Sequence, residues 1–271
     1  MTLSPRQVRE LLEAHGLRPS RALGQNFVAD PNTVRRIARL AAVGAGDHVV
    51  EVGPGLGSLT LALAETGAAV TAVELDRHLV PVLREVVEPA GVRVVQGDAM
   101  ALDWEELLGG APAWSLVANL PYNIATPLVL DLLANVPAIR CMLVMVQREV
   151  GERLAASVGD PAYGIPSVKR AYRATAEVVG RVPRTVFVPQ PRVDSVLVRL
   201  ERLQQPAVDA DAARLFRLVE AGFGQRRKML RRSLAATVDA EAFARAGVAP
   251  TARAEELGLD DWARLVAAAP R

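Results

Sequence analysis

Short apolar runs alternate with stretches of helical spacing through much of the chain. From residue 47 onward, segments whose apolar residues recur every three or four positions separate the runs DHVVEVG, AAVTAVEL, VRVVQGDA, WSLVANL and IRCMLVMVQ. Continuous apolar runs of this length are typical of strands buried on both faces of a parallel sheet, and the intervening segments are typical of the helices that cover it. The pattern therefore predicts an α/β fold.

Two further strands follow without a helix between them. AEVVGRV at 176–182 and DSVLVRLER at 194–202 are separated by a proline-rich loop. We expect them to form an antiparallel hairpin at the end of the sheet, which would then have seven strands, most of them parallel.

The chain turns polar around 204–212, and the apolar residues beyond that point follow helical spacing only. We therefore expect an α/β domain over residues 1–203 and a small all-helical domain over residues 204–271. Residues 1–45 are expected to form a helical extension, whose first helix has Ser4 as its cap and Pro5 at its first position.

The composition excludes several classes of protein. Hydrophobic residues make up 51% of the chain and charged residues 23%, which is typical of a globular protein, and no run approaches the ~18 apolar residues of a membrane span. The charged N-terminus does not resemble a signal peptide. One cysteine, Cys141, and three scattered histidines predict neither a disulfide framework nor a metal site. We expect a cytoplasmic protein that is not bound to a membrane, and the pattern requires nothing larger than a monomer.

Positive charge is concentrated near the C-terminus. Residues 1–180 carry a net charge of −3, whereas residues 181–271 carry +5. The segment FGQRRKMLRRSLAA at 223–236 predicts a helix with Met229, Leu230 and Leu234 inside and a basic outer face made of Arg226, Arg227, Lys228, Arg231 and Arg232. Because no acid occurs between Glu220 and Asp239, we favour a phosphate-contacting surface over an ordinary solvated helix.

A glycine-rich loop joins the first strand of the sheet to a helix. In EVGPGLGSLT, the residues Gly53, Gly55 and Gly57 form the pattern G-x-G-x-G, whereas the dinucleotide fingerprint G-x-G-x-x-G would place its third glycine at Ser58. Glycines allow a tight turn and a close approach of a ligand to the backbone. The shorter spacing favours S-adenosylmethionine over NAD.

Polar side chains stand at the ends of the next three strands. Glu74 ends the second strand, 21 residues after Gly53, where a carboxylate can accept hydrogen bonds from both hydroxyls of a ribose. Asp98 ends the third strand and Asn119 ends the fourth. Ligands of such sheets bind outside the carboxyl ends of the strands, so this series predicts a site for a nucleoside-containing cofactor.

The segment NLPYNIATP at 119–127 is unusual for the end of a buried strand. Suppose that the methyl acceptor is an exocyclic adenine amino group. The side-chain oxygen of Asn119 and the backbone carbonyl of Leu120 can then accept hydrogen bonds from its two N–H groups, which favours the positive charge that develops on the nitrogen. Pro121 restricts Leu120 to an extended conformation, and Tyr122 offers a flat face for an extruded base. The alternative is a strand-ending proline turn with a packing tyrosine.

These motifs together resemble one family. GQNF (24–27), EVGPGLGSLT, GDA (97–99), NLPYNIATP and FVPQPRVDSVL (187–197) occur in the order found in the ribosomal RNA adenine dimethyltransferases, and they are most similar to the bacterial small-subunit branch linked to kasugamycin sensitivity. The resemblance covers residues 21 to 235. It implies a Rossmann-like methyltransferase sheet with an RNA-binding helical domain. It also implies S-adenosylmethionine-dependent dimethylation of two adjacent adenines in a hairpin loop near the 3′ end of small-subunit (16S) RNA, with that RNA or the immature 30S particle as partner.

The resemblance also implies roles for individual residues. Cofactor contacts are expected from Asn26, Val28, Gly53, Gly55, Glu74, Asp98 and Asn119. Asn119 is further expected to lie between cofactor and target, with Tyr122 and Phe187 sandwiching the target base. Two positions depart from the family pattern: Val28 stands where Leu is common, and Ala125 stands where Ser is usual.

Two other functions are compatible with the motifs. One is a large-subunit ribosomal RNA methyltransferase of the antibiotic-resistance type, and the other is an RNA-binding factor in ribosome assembly for which methylation is secondary. The VDS triplet at 193–195 and the basic QRRK segment favour the small-subunit enzyme, and the intact segment from Asn119 to Tyr122 favours retained catalysis.

Overall fold

The computed structural model describes residues 2–20 and 22–270. Strands lie at Phe27–Val28 (β1), His48–Val52 (β2), Ala69–Glu74 (β3), Arg93–Gln96 (β4), Trp114–Asn119 (β5), Ile139–Gln147 (β6), Ala174–Val182 (β7), Phe187–Val188 (β8) and Ser195–Arg202 (β9). Helices lie at Pro5–Ala14 (α1), Pro31–Ala41 (α2), Ser58–Ala64 (α3), Val80–Val87 (α4), Trp104–Leu108 (α5), Ala125–Asn135 (α6), Arg148–Ala155 (α7), Ile165–Ala171 (α8), Ala212–Gly224 (α9), Leu230–Ser233 (α10), Ala240–Ala246 (α11) and Leu259–Ala268 (α12).

Seven strands form one sheet in the order β4-β3-β2-β5-β6-β9-β7. The pairs from β4 through β6 are parallel, and β9 runs antiparallel to β6. The α/β class and the seven-stranded, mostly parallel sheet are therefore confirmed. The chain order reverses beside β2, since β3 and β4 lie on one side of it and β5 on the other. Ligands of doubly wound sheets bind at such a switch point.

The chain divides into two compact units. The first contains residues 1–151 and 177–202, and the second contains residues 152–176 and 203–271. The sequence pattern predicted a single boundary near residue 203. Residues 152–176 group with the C-terminal helices because Tyr163, Val168 and Tyr172 are part of the same hydrophobic core as Leu215 and Trp262.

In the first unit, the N-terminal segment packs onto the core of the sheet. Ser4 caps α1 and pairs reciprocally with Gln7 in a capping box, with Pro5 at the first helical position as predicted. Residues 27–28 form β1, which pairs antiparallel with β8. The segment before β2 therefore consists of two helices and a short strand that helps to build the site.

The second unit is helical apart from the start of β7. Its core contains the fully buried Trp262, whose ring packs so closely on Gly222 that a Cβ there would lie 2.5 Å from the ring. The Tyr163 hydroxyl donates a hydrogen bond to the Leu257 carbonyl at 2.9 Å. No helix within residues 2–20 and 22–270 is long and apolar enough to cross a membrane.

Candidate active site

A cleft with about 950 Å³ of empty space opens at the carboxyl ends of β2, β3, β4 and β5. Ten of the eleven residues predicted for cofactor and target line it: Asn26, Val28, Gly53, Gly55, Glu74, Asp98, Asn119, Leu120, Pro121 and Tyr122. The structure thus brings together strand ends that are far apart in the sequence, because parallel strands end on the same edge of the sheet.

The glycine loop adopts a conformation that side chains disfavour. Gly53, Gly55 and Gly57 have φ values of 70°, 58° and 88°. A Cβ on Gly55 would lie 2.6 Å from the Phe27 ring, so the loop and the β1 strand can meet only because this position has no side chain.

Glu74 holds the glycine loop as well as facing the cleft. One carboxylate oxygen accepts a hydrogen bond from the Gly55 N–H at 3.0 Å, and the other accepts from the Asp76 N–H at 2.9 Å. Burial raises the pKa of Glu74, because the charged form loses hydration. Each oxygen keeps a further lone pair, so the carboxylate can still accept ligand hydroxyls. Asp98 is exposed, and its Oδ1 accepts from the Met100 N–H at 2.9 Å.

A second buried acid lines the cleft. Glu51 is 1% exposed, and burial raises its pKa to about 8. The Thr60 hydroxyl lies close enough to oppose part of this shift, yet Glu51 Oε2 and the Oγ of Ser58 are buried and make no well-formed hydrogen bond to any described residue. Buried polar atoms are rarely left unpaired. Two such atoms beside an open cleft fit a cofactor with its own polar groups.

The turn after β5 presents acceptors. The Asn119 Nδ2 donates to the Asn26 carbonyl at 3.1 Å, which leaves Oδ1 as the free end of the carboxamide. Leu120 is anchored through its N–H to the Met145 carbonyl at 3.1 Å. Among the described residues, none donates a hydrogen bond to Asn119 Oδ1 or to the Leu120 carbonyl oxygen.

The two predicted stacking residues differ in accessibility. Tyr122 is half-buried and lines the cleft, and burial of its hydroxyl raises its pKa. Phe187 does not line the cleft: it is 3% exposed, belongs to the core of the first unit and pairs with Val28 between β8 and β1. Its ring offers no free face in this structure, so the predicted aromatic sandwich is not formed.

The basic segment is not one helix. Helix α9 ends at Gly224, and α10 begins at Leu230. The Leu230 and Arg231 N–H groups donate to the Ala252 and Pro250 carbonyls, at 2.7 and 3.0 Å, instead of to a preceding turn of helix. Leu230 and Leu234 are buried as predicted, but Met229 is 40% exposed and the prediction that it faces inward is wrong.

One of the five basic side chains is paired. Arg226 Nε lies 2.5 Å from the carboxylate of Glu255, an acid that is distant in the sequence and therefore absent from the local run. Arg227, Lys228, Arg231 and Arg232 are exposed and have no ion-pair partner within the described part of the chain.

The family model for ribosomal RNA adenine dimethylase matches residues 17–269. The chain belongs to that family. The match covers the cleft, the NLPY turn and the basic segment, so the family predicted from the motifs is confirmed.

Relatives of this dimethylase family member carry a more specific name. Proteins from Kineococcus radiotolerans, Leifsonia xyli subsp. xyli and Thermobifida fusca are 49%, 50% and 50% identical to it, over 99%, 98% and 97% of this chain and 92%, 98% and 94% of their own. Each is named ribosomal RNA small subunit methyltransferase A.

Solved structures share the fold. The 23S rRNA methyltransferase ErmE is 28% identical with a TM-score of 0.70, over 90% of this chain and 99% of that one. A dimethyladenosine transferase from Plasmodium falciparum has a TM-score of 0.75 at 23% identity, over 88% of this chain and 95% of that one. The Rossmann-like methyltransferase fold of this family member is therefore confirmed.

The sequence motifs did not indicate a role for several residues that line the cleft in this family member, among them Gln25, Phe27 and Glu51. An acid within the apolar run HVVEV was a usable signal for Glu51, because acids are almost never fully buried without a reason. The two departures from the family pattern are accommodated: Val28 is buried in β1, and Ala125 is fully buried at the start of α6.

Proposed function

We propose that this protein transfers methyl groups from S-adenosylmethionine to the exocyclic amino groups of two adjacent adenines. We place these adenines in the 3′-terminal hairpin loop of small-subunit ribosomal RNA. The observation that carries the proposal is the pair of free acceptors, Asn119 Oδ1 and the Leu120 carbonyl, beside a cleft lined by the glycine loop and Glu74.

The two acceptors address the main chemical difficulty of the reaction, which is the low nucleophilicity of the adenine amino group. The lone pair of an adenine amino group is delocalised into the ring, which makes the nitrogen a poor nucleophile. Two acceptors for its N–H bonds favour a pyramidal nitrogen and the positive charge that develops on it. A strong general base is not required, because an ammonium-like product loses its proton readily.

S-adenosylmethionine, when bound, supplies an electrophilic methyl group on a sulfonium. In this proposal Glu74 accepts hydrogen bonds from the ribose hydroxyls and Asp98 accepts one from the adenine amino group. Gly53 and Gly55 let the methionine and ribose portion approach the backbone, and Asn26 and Val28 also line the cleft. The unpaired Glu51 Oε2 and Ser58 Oγ support a polar ligand at this place.

Tyr122 supplies the stacking face for the target base. Phe187 takes a different part in the proposal from the one expected: its buried ring fixes β8 against β1 and so holds Phe27 and Val28 at the cleft.

Two observations favour small-subunit RNA as the substrate. The relatives that are 46–50% identical are named for the small subunit, whereas ErmE, named for 23S rRNA, is 28% identical. Unpaired basic side chains are available for RNA phosphates in the second unit: Arg227, Lys228, Arg231 and Arg232. We propose that the first unit is catalytic, that the second unit binds RNA, and that a monomer acts in the cytoplasm on the RNA or the immature 30S particle.

Mapping of modified adenines in a strain that lacks the gene tests the proposal. Primer extension on both ribosomal RNAs should lose a pair of adjacent dimethyladenine stops near the 3′ end of the small-subunit RNA, and the intact gene should restore them. Loss of a stop in the large-subunit RNA would favour the resistance-type enzyme. An unchanged pattern in both RNAs, with altered particle assembly, would favour an assembly factor.

A further inference from the structure

We infer that Gln25 is a positioning residue that controls the orientation of the Asn119 carboxamide, and we base this inference on the proposed function. Residues 24–26, here called the strap, contact both the loop that follows β3 and the turn that follows β5. The strap therefore connects the expected cofactor side of the cleft to its target side.

The strap is fixed on one side by the side chain of its middle residue, Gln25. Its Nε2 donates to Asp76 Oδ2 at 2.8 Å, and its Oε1 accepts from the Ser20 N–H at 2.7 Å. Both ends of this carboxamide are thus engaged. Asp76 is itself tied through its N–H to the Glu74 carboxylate at 2.9 Å, so the strap is linked to the residue proposed to hold the ribose.

The two outer residues of the strap both contact the NLPY turn. The Asn26 carbonyl accepts the hydrogen bond from Asn119 Nδ2 at 3.1 Å. The Gly24 backbone packs against the turn, since a Cβ there would lie 3.5 Å from Pro121 Cβ and 3.6 Å from the Tyr122 nitrogen.

These contacts determine which end of the Asn119 carboxamide faces the cleft. A carbonyl can only accept, so the Asn26 carbonyl holds the NH₂ end and leaves Oδ1 outward. If Gln25 releases Asp76, Asn26 keeps its own side-chain hydrogen bond to the Gly24 carbonyl at 3.1 Å, but the strap loses its link to the loop after β3. The Asn26 carbonyl can then shift away from Asn119, whose side chain is free to rotate and present an NH₂ group. That group would repel the N–H bonds of the acceptor nitrogen instead of accepting them.

The donor and the acceptor of the Gln25–Asp76 hydrogen bond can be exchanged by using side chains of nearly the same shape. Gln25→Glu brings two carboxylates together and breaks the contact. Adding Asp76→Asn supplies a donor opposite the new carboxylate and keeps the Oδ1 that accepts from the His78 N–H at 2.9 Å. Gln25→Ala removes the contact without repulsion, and Gln205→Glu, at an exposed position in the second unit, controls for the added charge.

The first readout requires neither activity nor ligand. The side-chain NH₂ signal of Asn119 in a ¹⁵N spectrum can be identified by its absence in Asn119→Ala. We expect slow proton exchange with water in the wild type and in Gln205→Glu, fast exchange in Gln25→Glu and Gln25→Ala, and recovery in the double variant. Wild-type exchange in Gln25→Glu, or a double variant no better than Gln25→Glu alone, would overturn the inference.

The second readout separates positioning from cofactor binding. At saturating cofactor, Gln25→Glu should slow single-turnover methyl transfer to small-subunit particles by about tenfold, with a smaller change in affinity for S-adenosylhomocysteine by calorimetry. The double variant should recover most of the rate. A defect in affinity alone, with full transfer at saturation, would contradict the inference. If the wild type transfers no methyl group, the proposed function fails, and the exchange measurement still decides the role of Gln25.

Discussion

The cleft of the first unit and the basic segment of the second unit differ in how well the local sequence predicts them. In the cleft, the functional side chains follow four consecutive parallel strands, and the topology of the sheet brings their ends together. In the basic segment, the local run suggests a uniform positive helix, yet a distant acid pairs with Arg226 and the helix is interrupted at residues 225–229. A site at strand ends follows from local motifs, whereas a charged surface depends on what the fold packs beside it.

The largest expected effect lies at the turn after β5. Asn119→Ala removes the free Oδ1 acceptor and should lower methyl transfer by about a hundredfold or more, as loss of one preorganised polar group does in other enzymes. RNA binding should be retained, because the basic segment is unchanged. Asn123→Ala, at an exposed position of the same turn, is the matched control. Near wild-type transfer by Asn119→Ala would remove that residue from the mechanism.

The glycine loop should give the next largest effect. Gly55→Ala puts a Cβ 2.6 Å from the Phe27 ring at a φ of 58°, so the loop or β1 must move. We expect affinity for S-adenosylhomocysteine to fall by about tenfold or more, which corresponds to a strain of 1–3 kcal/mol. Gly16→Ala has a similar φ of 63° with no atom within 4 Å of its Cβ, and it should leave that affinity unchanged. Equal losses in both variants would point to general strain.

The basic segment should give a smaller effect, which tests whether the pairing of Arg226 with Glu255 removes that arginine from the RNA-binding surface. Arg227→Ala should weaken RNA binding. It should also reduce the slope of log affinity against log salt concentration by about 1, the amount expected for one lost phosphate contact. Arg226→Ala should weaken RNA binding less, because Glu255 already compensates that charge. Both variants should bind the cofactor normally. Filter binding at several salt concentrations measures the difference, and a larger loss at Arg226 would contradict the assignment.

Glu51 provides the last test, which concerns stability instead of binding or methyl transfer. Its pKa in the fold is about 8, above the ordinary value of 4.5, so the neutral form stabilises the fold. This contribution is complete below about pH 4.5 and is lost as the pH rises to about 8, by on the order of 1 kcal/mol per pH unit. Thermal unfolding at pH 5.5 and 8.5 should show the wild type losing stability relative to Glu51→Gln. The exposed Glu13→Gln should follow the wild type.

Most of the sheet and the cleft are predictable from sequence because both depend on periodicity and strand order. All seven predicted strands of the sheet form, and Gly53, Glu74, Asp98 and Asn119 meet at one edge. The burial of Phe187 was not predictable, because it results from the two-residue pairing of β8 with β1. The placement of residues 152–176 in the second unit depends on long-range packing that the local pattern does not contain.

A crystal structure of the protein with S-adenosylhomocysteine would show whether the cofactor and Asn119 meet at the cleft as proposed. We expect the ribose hydroxyls at the Glu74 carboxylate, the adenine amino group at Asp98 and the sulfur facing Asn119 Oδ1. A ligand bound elsewhere, or one whose sulfur points away from that carboxamide, would contradict the proposal.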